Sequence, residues 1–197
     1  MMQNNMKIIG ITGGIGSGKS VLLKVLEEDY GAFVVEADKV AHEIMTPGHQ
    51  EYEAIVAEFG KEILGEDGFI DRNCLSKQVI GNDMKLAKLN SIVHPGVKNY
   101  IKDSINCKRD EGVKLYVIEA ALLIQDGYKE ICDEIWFVYA DRETRIKRLM
   151  AGRGYTREKA ESFMEVQPSD DFFRYNTDRI IDNNGSIDDI KNQVLFS

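Results

Sequence analysis

The 197-residue chain is poor in the residues that build metal and disulfide frameworks, with three cysteines and three histidines. Cys74, Cys107 and Cys132 are an odd, scattered set without metal-ligand spacing, and they read as reduced, mostly buried thiols of a cytosolic protein. His42, His49 and His94 have no cysteine or histidine at ligand spacing, which argues against a zinc site. Positive charge is also short: 25 Lys and Arg against 33 Asp and Glu leave a formal net charge of -8. That balance argues against a general nucleic-acid binder, which would carry a basic face. It still permits phosphates held in a locally positive pocket. No apolar run approaches the ~18 residues of a membrane span. The opening "MMQNNMKIIGIT" has no apolar signal core before the first strand, so the cytoplasm is the expected compartment, with Met6 as a natural start and residues 1–5 as a disordered extension. Internal repeats, low-complexity linkers and the guanine-reading Asn-Lys-x-Asp segment are all missing.

What is present is ordinary globular composition, 43% hydrophobic and 29% charged, in a length that suits one domain with a lid or small insert. The runs "KIIGIT" (7–12), "AFVVEA" (32–37), "KLYVIEA" (114–120), "EIWFVYA" (134–140) and "RIIDN" (179–183) read as buried strands. Between them lie helical patterns such as "KSVLLKVLEEDY" and "MKLAKLNSIVH". The alternation predicts an α/β fold, a five-stranded parallel sheet with helices on both faces. The nucleotide-binding core is expected over about 6–37, 113–140 and 177–197. The long interval of about 38–112 reads as a helical acceptor-binding insert, and about 141–176 as a lid. "GEDG" (65–68) and "DNNG" (182–185) read as turns.

The stretch Gly13-x4-Gly18-Lys19-Ser20 matches a phosphate loop, with a strand before it and a helix after. Glycines let successive N–H groups turn toward anionic oxygens, and a helix beginning near Gly18 adds its positive end. Nucleotide contacts are therefore expected from Gly14, Ile15, Gly16, Ser17, Gly18, Lys19, Ser20 and Val21. Lys19 neutralises the outer phosphates, and the Ser20 hydroxyl can ligate Mg2+. A nucleotide and Mg2+ are the implied ligands. The second strand ends in "VVEADKVAHEIMTPG" (34–48), which puts Glu36 and Asp38 at the sheet edge where ligands bind in parallel sheets. Asp38 can orient an attacking hydroxyl, or it can cap the helix "KVAHEIM"; on the residues alone both readings stand.

"GITGGIGSGKS", "EADKVAHEIMTPG", "GFIDRNCLSKQVI", "LNSIVHP" and "IDNNG", in that order and spacing, resemble the dephospho-coenzyme A kinase family from about Lys7 to Val194. The resemblance implies a core like that of nucleoside monophosphate kinases. It also implies transfer of the ATP γ-phosphate to the ribose 3′-hydroxyl of dephospho-CoA, the last step of coenzyme A synthesis. Small-molecule substrates are expected, without nucleic acid or membrane.

Carried over residue by residue, Asp38 matches the second acid of the family's Asp-Ala-Asp segment and positions or deprotonates the 3′-hydroxyl, while Glu36 departs from the first. Arg72 pairs with the acceptor's diphosphate or is a solvated residue at a helix start. His94 donates to the acceptor or ties down a turn before Pro95. Glu119 stands where the family has Asp and can hold Mg2+ through a water; Ala121 and Gln125 replace the family's Pro and Glu. Val21 takes a position often filled by Thr. Arg148 and Arg153 match groups that neutralise the transferring phosphoryl, against the plain reading of a charged exposed helix, and Arg145 stays open. Asn183 matches a residue that can read the adenine edge, although Asn is also a turn former. A nucleoside monophosphate kinase and a non-catalytic nucleotide or CoA sensor share the phosphate loop, and acceptor dependence separates them.

Overall fold

The computed structural model describes residues 6–194; the extension expected at 1–5 and the last three positions of the expected core, 195–197, lie outside the described residues. Two compact units divide the chain: Met1–Val34 with Lys108–Ser197, and Val35–Cys107.

The five apolar runs form a five-stranded parallel sheet of β1 (Lys7–Thr12), β2 (Phe33–Glu36), β3 (Leu115–Glu119), β4 (Glu134–Tyr139) and β5 (Arg179–Asp182), in the order β2-β3-β1-β4-β5. β1 pairs with β3 from Lys7↔Leu115 to Ile11↔Glu119, and with β4 from Ile9↔Glu134 to Thr12↔Phe137. Strands covered on both faces need apolar side chains at nearly every position, and β1, β3 and β4 have them. On one face Ile9, Ile11, Val117, Trp136 and Val138 pack with Leu22 and Leu26 of α1 (Lys19–Tyr30) and Ile190 of α9 (Ile187–Gln193). Leu22 and Leu26 are fully buried, so truncating either to alanine costs about 2–5 kcal/mol. α1 ends at Gly31, whose left-handed backbone turns its N–H to Glu27 O while the Ala32 N–H reaches Leu26 O.

The chain's connections part at the neighbouring strands β1 and β3, since β1 leads to β2 on one side and β3 leads across β1 to β4 on the other. Ligands in open parallel sheets bind at such a point, and the glycine loop leaves β1 there. The 141–176 segment forms α6 (Arg142–Arg153), α7 (Arg157–Glu165) and α8 (Asp170–Asn176), with Asp141, Thr156 and Ser169 as their side-chain N-caps. Ile146, Leu149 and Ala160 of this segment pack around Ile15 of the loop.

The Val35–Cys107 unit holds α2 (Ala37–Ile44), α3 (Gln50–Phe59), α4 (Arg72–Val79) and most of α5 (Asp83–Asp110) around Ile55, Phe59, Ile63, Leu75 and Val79. Two local expectations are corrected here. β2 runs directly into α2, so the capping position falls on Glu36 and Asp38 lies inside the first turn, where it caps nothing. Pro95 ends no helix: α5 runs through it for 28 residues. Proline forfeits a hydrogen bond in a helix interior, about 3 kcal/mol. Burial of Gly96, Val97, Ile101 and Ile105 on the C-terminal side offsets that loss. Asp71 does cap α4, accepting from the N–H groups of Asn73 (2.8 Å) and Cys74 (3.2 Å), and these bonds hold its carboxyl below the usual range.

The thiols are less buried than expected, since Cys107 is exposed and Cys74 and Cys132 are half-buried. Among the described residues no helix is long and apolar enough to cross a membrane.

Candidate active site

The loop between β1 and α1 is an anion cradle by construction. Gly18 takes the helix capping position with φ +87, a left-handed conformation, and its missing Cβ leaves room for the Asn183 amide that would otherwise be overlapped. Among the described residues the N–H groups of Gly16, Gly18, Lys19 and Ser20 donate to no protein carbonyl. These are the unmet donors of a helix N-terminus, and they suit phosphate oxygens. Lys19 Nζ donates to Gly13 O at 2.9 Å and lies 3.4 Å from a Glu119 carboxylate oxygen at the end of β3. Ser20 is exposed and its hydroxyl has no partner among the described residues. The Thr12 hydroxyl at the end of β1 and the Ser17 hydroxyl in the loop are buried without a hydrogen-bond partner among the described residues.

Val21 turns its side chain toward the core around α1, while its N–H donates to Gly18 O at 3.0 Å. Ile15 is held from behind. Its N–H donates to Gln167 Oε1 at 2.8 Å, and its carbonyl accepts from Arg145 Nε at 2.9 Å. Arg148 donates to Ser17 O (3.2 Å) and Asn183 O (2.8 Å), and Asn183 Nδ2 donates to Ser17 O at 2.7 Å. At 3% exposure, Asn183 is closed in against the loop, with its amide nitrogen already engaged. Arg153 ends α6, is exposed, and has no hydrogen-bond or ion-pair partner among the described residues.

In the Val35–Cys107 unit a cleft of about 500 Å3 is lined by Asp38, His42, Arg72, Ser76, Asn90 and an apolar wall that includes Leu75 and Val79. Asp38 and Arg72 are exposed and unpaired among the described residues, whereas Glu36 is bound to Lys39 at 2.6 Å. The cleft thus brings Asp38 and Arg72 together and leaves His94 outside its wall. A carboxylate and a free guanidinium over an apolar surface suit an acceptor with a hydroxyl, a phosphate and a flat ring.

The dephospho-CoA kinase family model matches residues 7–189. The chain belongs to the dephospho-CoA kinase family. A curated dephospho-CoA kinase of Carboxydothermus hydrogenoformans is 42% identical over 191 residues, which are 96% of this chain and 92% of that one. A solved dephospho-CoA kinase from Campylobacter jejuni aligns with a TM-score of 0.70 at 26% identity, over 98% of this chain and 94% of that one. A crystal structure from Thermus thermophilus aligns with a TM-score of 0.79 at 28% identity, over 95% and 93% of the two chains.

A dephospho-CoA kinase works on nucleotide phosphates, and Mg2+ asks little of the protein there, since it keeps several waters and takes one or two side chains plus phosphate oxygens. An unpartnered Ser20 hydroxyl and a carboxylate beside Lys19 fit that requirement. Three contributors escaped the sequence reading. His42 was findable, because it stands one helical turn from Asp38 on the same face. Gln167, and the clamping role of Arg145, had no local signal, since the bonds they make to Ile15 join residues more than 120 positions apart.

Proposed function

We infer that this chain transfers the γ-phosphoryl group of ATP to the 3′-hydroxyl of dephospho-CoA, giving ADP and coenzyme A. The observation that carries the reading beyond nucleotide binding is the acceptor cleft, with an unpaired carboxylate and an unpaired guanidinium in one wall. A sensor that merely bound and hydrolysed ATP would not need it.

Asp38 accepts a hydrogen bond from the 3′-hydroxyl and aims its oxygen at phosphorus. The transition state of phosphoryl transfer is loose, so orientation outweighs base strength. Lys19 exchanges Gly13 O for the outer phosphates of ATP, and the free loop N–H groups hold the remaining oxygens. Mg2+, when bound, neutralises phosphate charge, and Ser20 with Glu119 through a water are the residues that would hold it. Arg148 acts through the loop by fixing Ser17 and Asn183. Arg153, free at the end of α6, meets the charge that spreads over the transferring group, and α6–α8 form the segment that excludes water. Asn183 shapes the loop from behind, and Arg72 meets the acceptor's diphosphate. His94 is assigned no contact. The odd, scattered set of three cysteines supports a reducing, cytoplasmic setting, and the acidic balance supports small-molecule partners rather than nucleic acid.

The test is ADP formation from MgATP with and without dephospho-CoA, with mass spectrometry of the acceptor. Acceptor-dependent turnover to 3′-phosphorylated product, reduced about 100-fold or more in Asp38→Asn, is expected. Turnover indifferent to dephospho-CoA would put the sensor reading ahead, and faster turnover with a mononucleotide would put the nucleoside monophosphate kinase reading ahead.

A further inference from the structure

Phe69 is 48% exposed, yet the loop that carries it is braced. Gly65 N–H donates to Phe69 O at 2.8 Å, and Phe69 N–H donates to Asp67 Oδ1 at 3.1 Å. Tyr52 Oη donates to Gly68 O at 2.5 Å, and Leu64 bridges Ile70. The ring is one wall of a largely apolar groove of about 160 Å3, whose other walls are His42, Met45, Thr46, Ile70 and Arg72. His42, Met45 and Arg72 also line the larger cleft, so the two cavities share a wall. Asp38 lines the cleft and not the groove.

We propose that this groove holds the pantetheine arm of dephospho-CoA, with Phe69 as its outer wall. The assignment rests on the kinase reading above. Asp38 must face the ribose 3′-hydroxyl, which commits the adenosine half to the larger cleft. The diphosphate then falls at the shared wall, beside Arg72 and His42. Past the diphosphate the first bulky group of the arm is a carbon with two methyl groups, and past Arg72 and His42 the groove offers Met45, Ile70 and Phe69. The reverse placement would put the reacting hydroxyl in the groove, away from Asp38. A pre-ordered aromatic wall adds contact without an ordering cost. The groove is too small to enclose the whole arm, so the thiol end stays in solvent.

Titration calorimetry tests this with the phosphate loop saturated by a non-hydrolysable ATP analogue. The two ligands are dephospho-CoA and the methyl ester of ADP, which keeps adenosine and diphosphate but lacks the arm. Phe69→Ala should weaken dephospho-CoA about tenfold and leave the methyl ester within about twofold, and Phe69→Trp should restore dephospho-CoA. Equal weakening of both ligands, or of neither, overturns the proposal, as does a wild type that binds the two equally. If Phe69→Ala lowers the melting temperature, Phe69→Leu is read instead, with the same two outcomes. A wild type that prefers dephospho-CoA over the methyl ester but never phosphorylates it overturns the kinase reading and leaves the groove assignment standing.

Discussion

A single side-chain oxygen of Gln167 accepts hydrogen bonds from both the Ile15 N–H, at 2.8 Å, and the Arg145 guanidinium, at 3.1 Å. Arg145 returns to the same residue by donating its Nε–H to the Ile15 carbonyl, and its Nη1 lies 3.5 Å from Asp170. Ile15 is therefore gripped at both its N–H and its carbonyl, while among the described residues the N–H groups of Gly16, Gly18, Lys19 and Ser20 donate to no protein carbonyl. Arg145 is 7% exposed, and burial pulls its pKa below the ordinary guanidinium value while Asp170 pushes back. Gly14 completes the arrangement, because any Cβ there would overlap that guanidinium.

Removing the shared acceptor leaves two donors unmet, one of them charged. Gln167→Ala should lose about 2 kcal/mol of stability, read from urea denaturation. The loosened loop should raise KM for ATP several-fold, toward the tenfold that ~1.4 kcal/mol represents, with KM for the acceptor unchanged. An unchanged KM for ATP would mean that the clamp does not order the loop.

The sheet and the phosphate loop were legible for one reason: both are written locally. A strand buried on both faces is a continuous apolar run such as "EIWFVY", and the loop's glycines stand at fixed spacing beside Lys19. Pro95 misled because a local breaker was outweighed by burial further along α5. Asp38 misled as a cap because no loop separates β2 from α2, a matter of strand length rather than residue type. The clamp on Ile15 was invisible because Gln167 lies 152 residues away and belongs to no pattern.

Glu119 gives a prediction about metal rather than fold. Its carboxylate lies beside Lys19 and, in the proposed mechanism, orients a water on Mg2+. Glu119→Gln should raise the Mg2+ concentration for half-maximal rate about 10-fold, as the loss of such outer contacts commonly does. Rates at saturating Mg2+ should recover most of the wild-type value. A variant with an unaltered Mg2+ dependence would remove Glu119 from the metal site.

Alkaline pH offers a test of packing. Burial pushes the Cys132 thiol up to about 12 from an ordinary value of 9.0. In the unfolded chain that thiol loses its proton first, so between those values the unfolded state binds fewer protons and stability falls as pH rises. Below the unfolded value the contribution is flat. Denaturation midpoints from pH 8 to 11 should decline less steeply in Cys132→Ala, with a remainder from Tyr128, which burial also raises to about 12. Alkylation at pH 9 should label exposed Cys107 long before Cys132.

Arg148 and Arg153 occupy one helix, yet they should fail differently. Arg148 holds two main-chain carbonyls, and replacing it by Gln should cost about 1.5–3 kcal/mol of stability along with ATP affinity. Arg153 is exposed and has no hydrogen-bond or ion-pair partner among the described residues, so Arg153→Gln should leave stability within ~0.5 kcal/mol. If its guanidinium meets the transferring phosphoryl, kcat should nevertheless drop about 100-fold with KM for ATP little changed. Melting temperatures paired with steady-state kinetics on the two variants separate the roles. A stable Arg153→Gln enzyme with full kcat would return that residue to the plain reading of an exposed charge at a helix end, and the proposed mechanism would then have to draw positive charge from elsewhere.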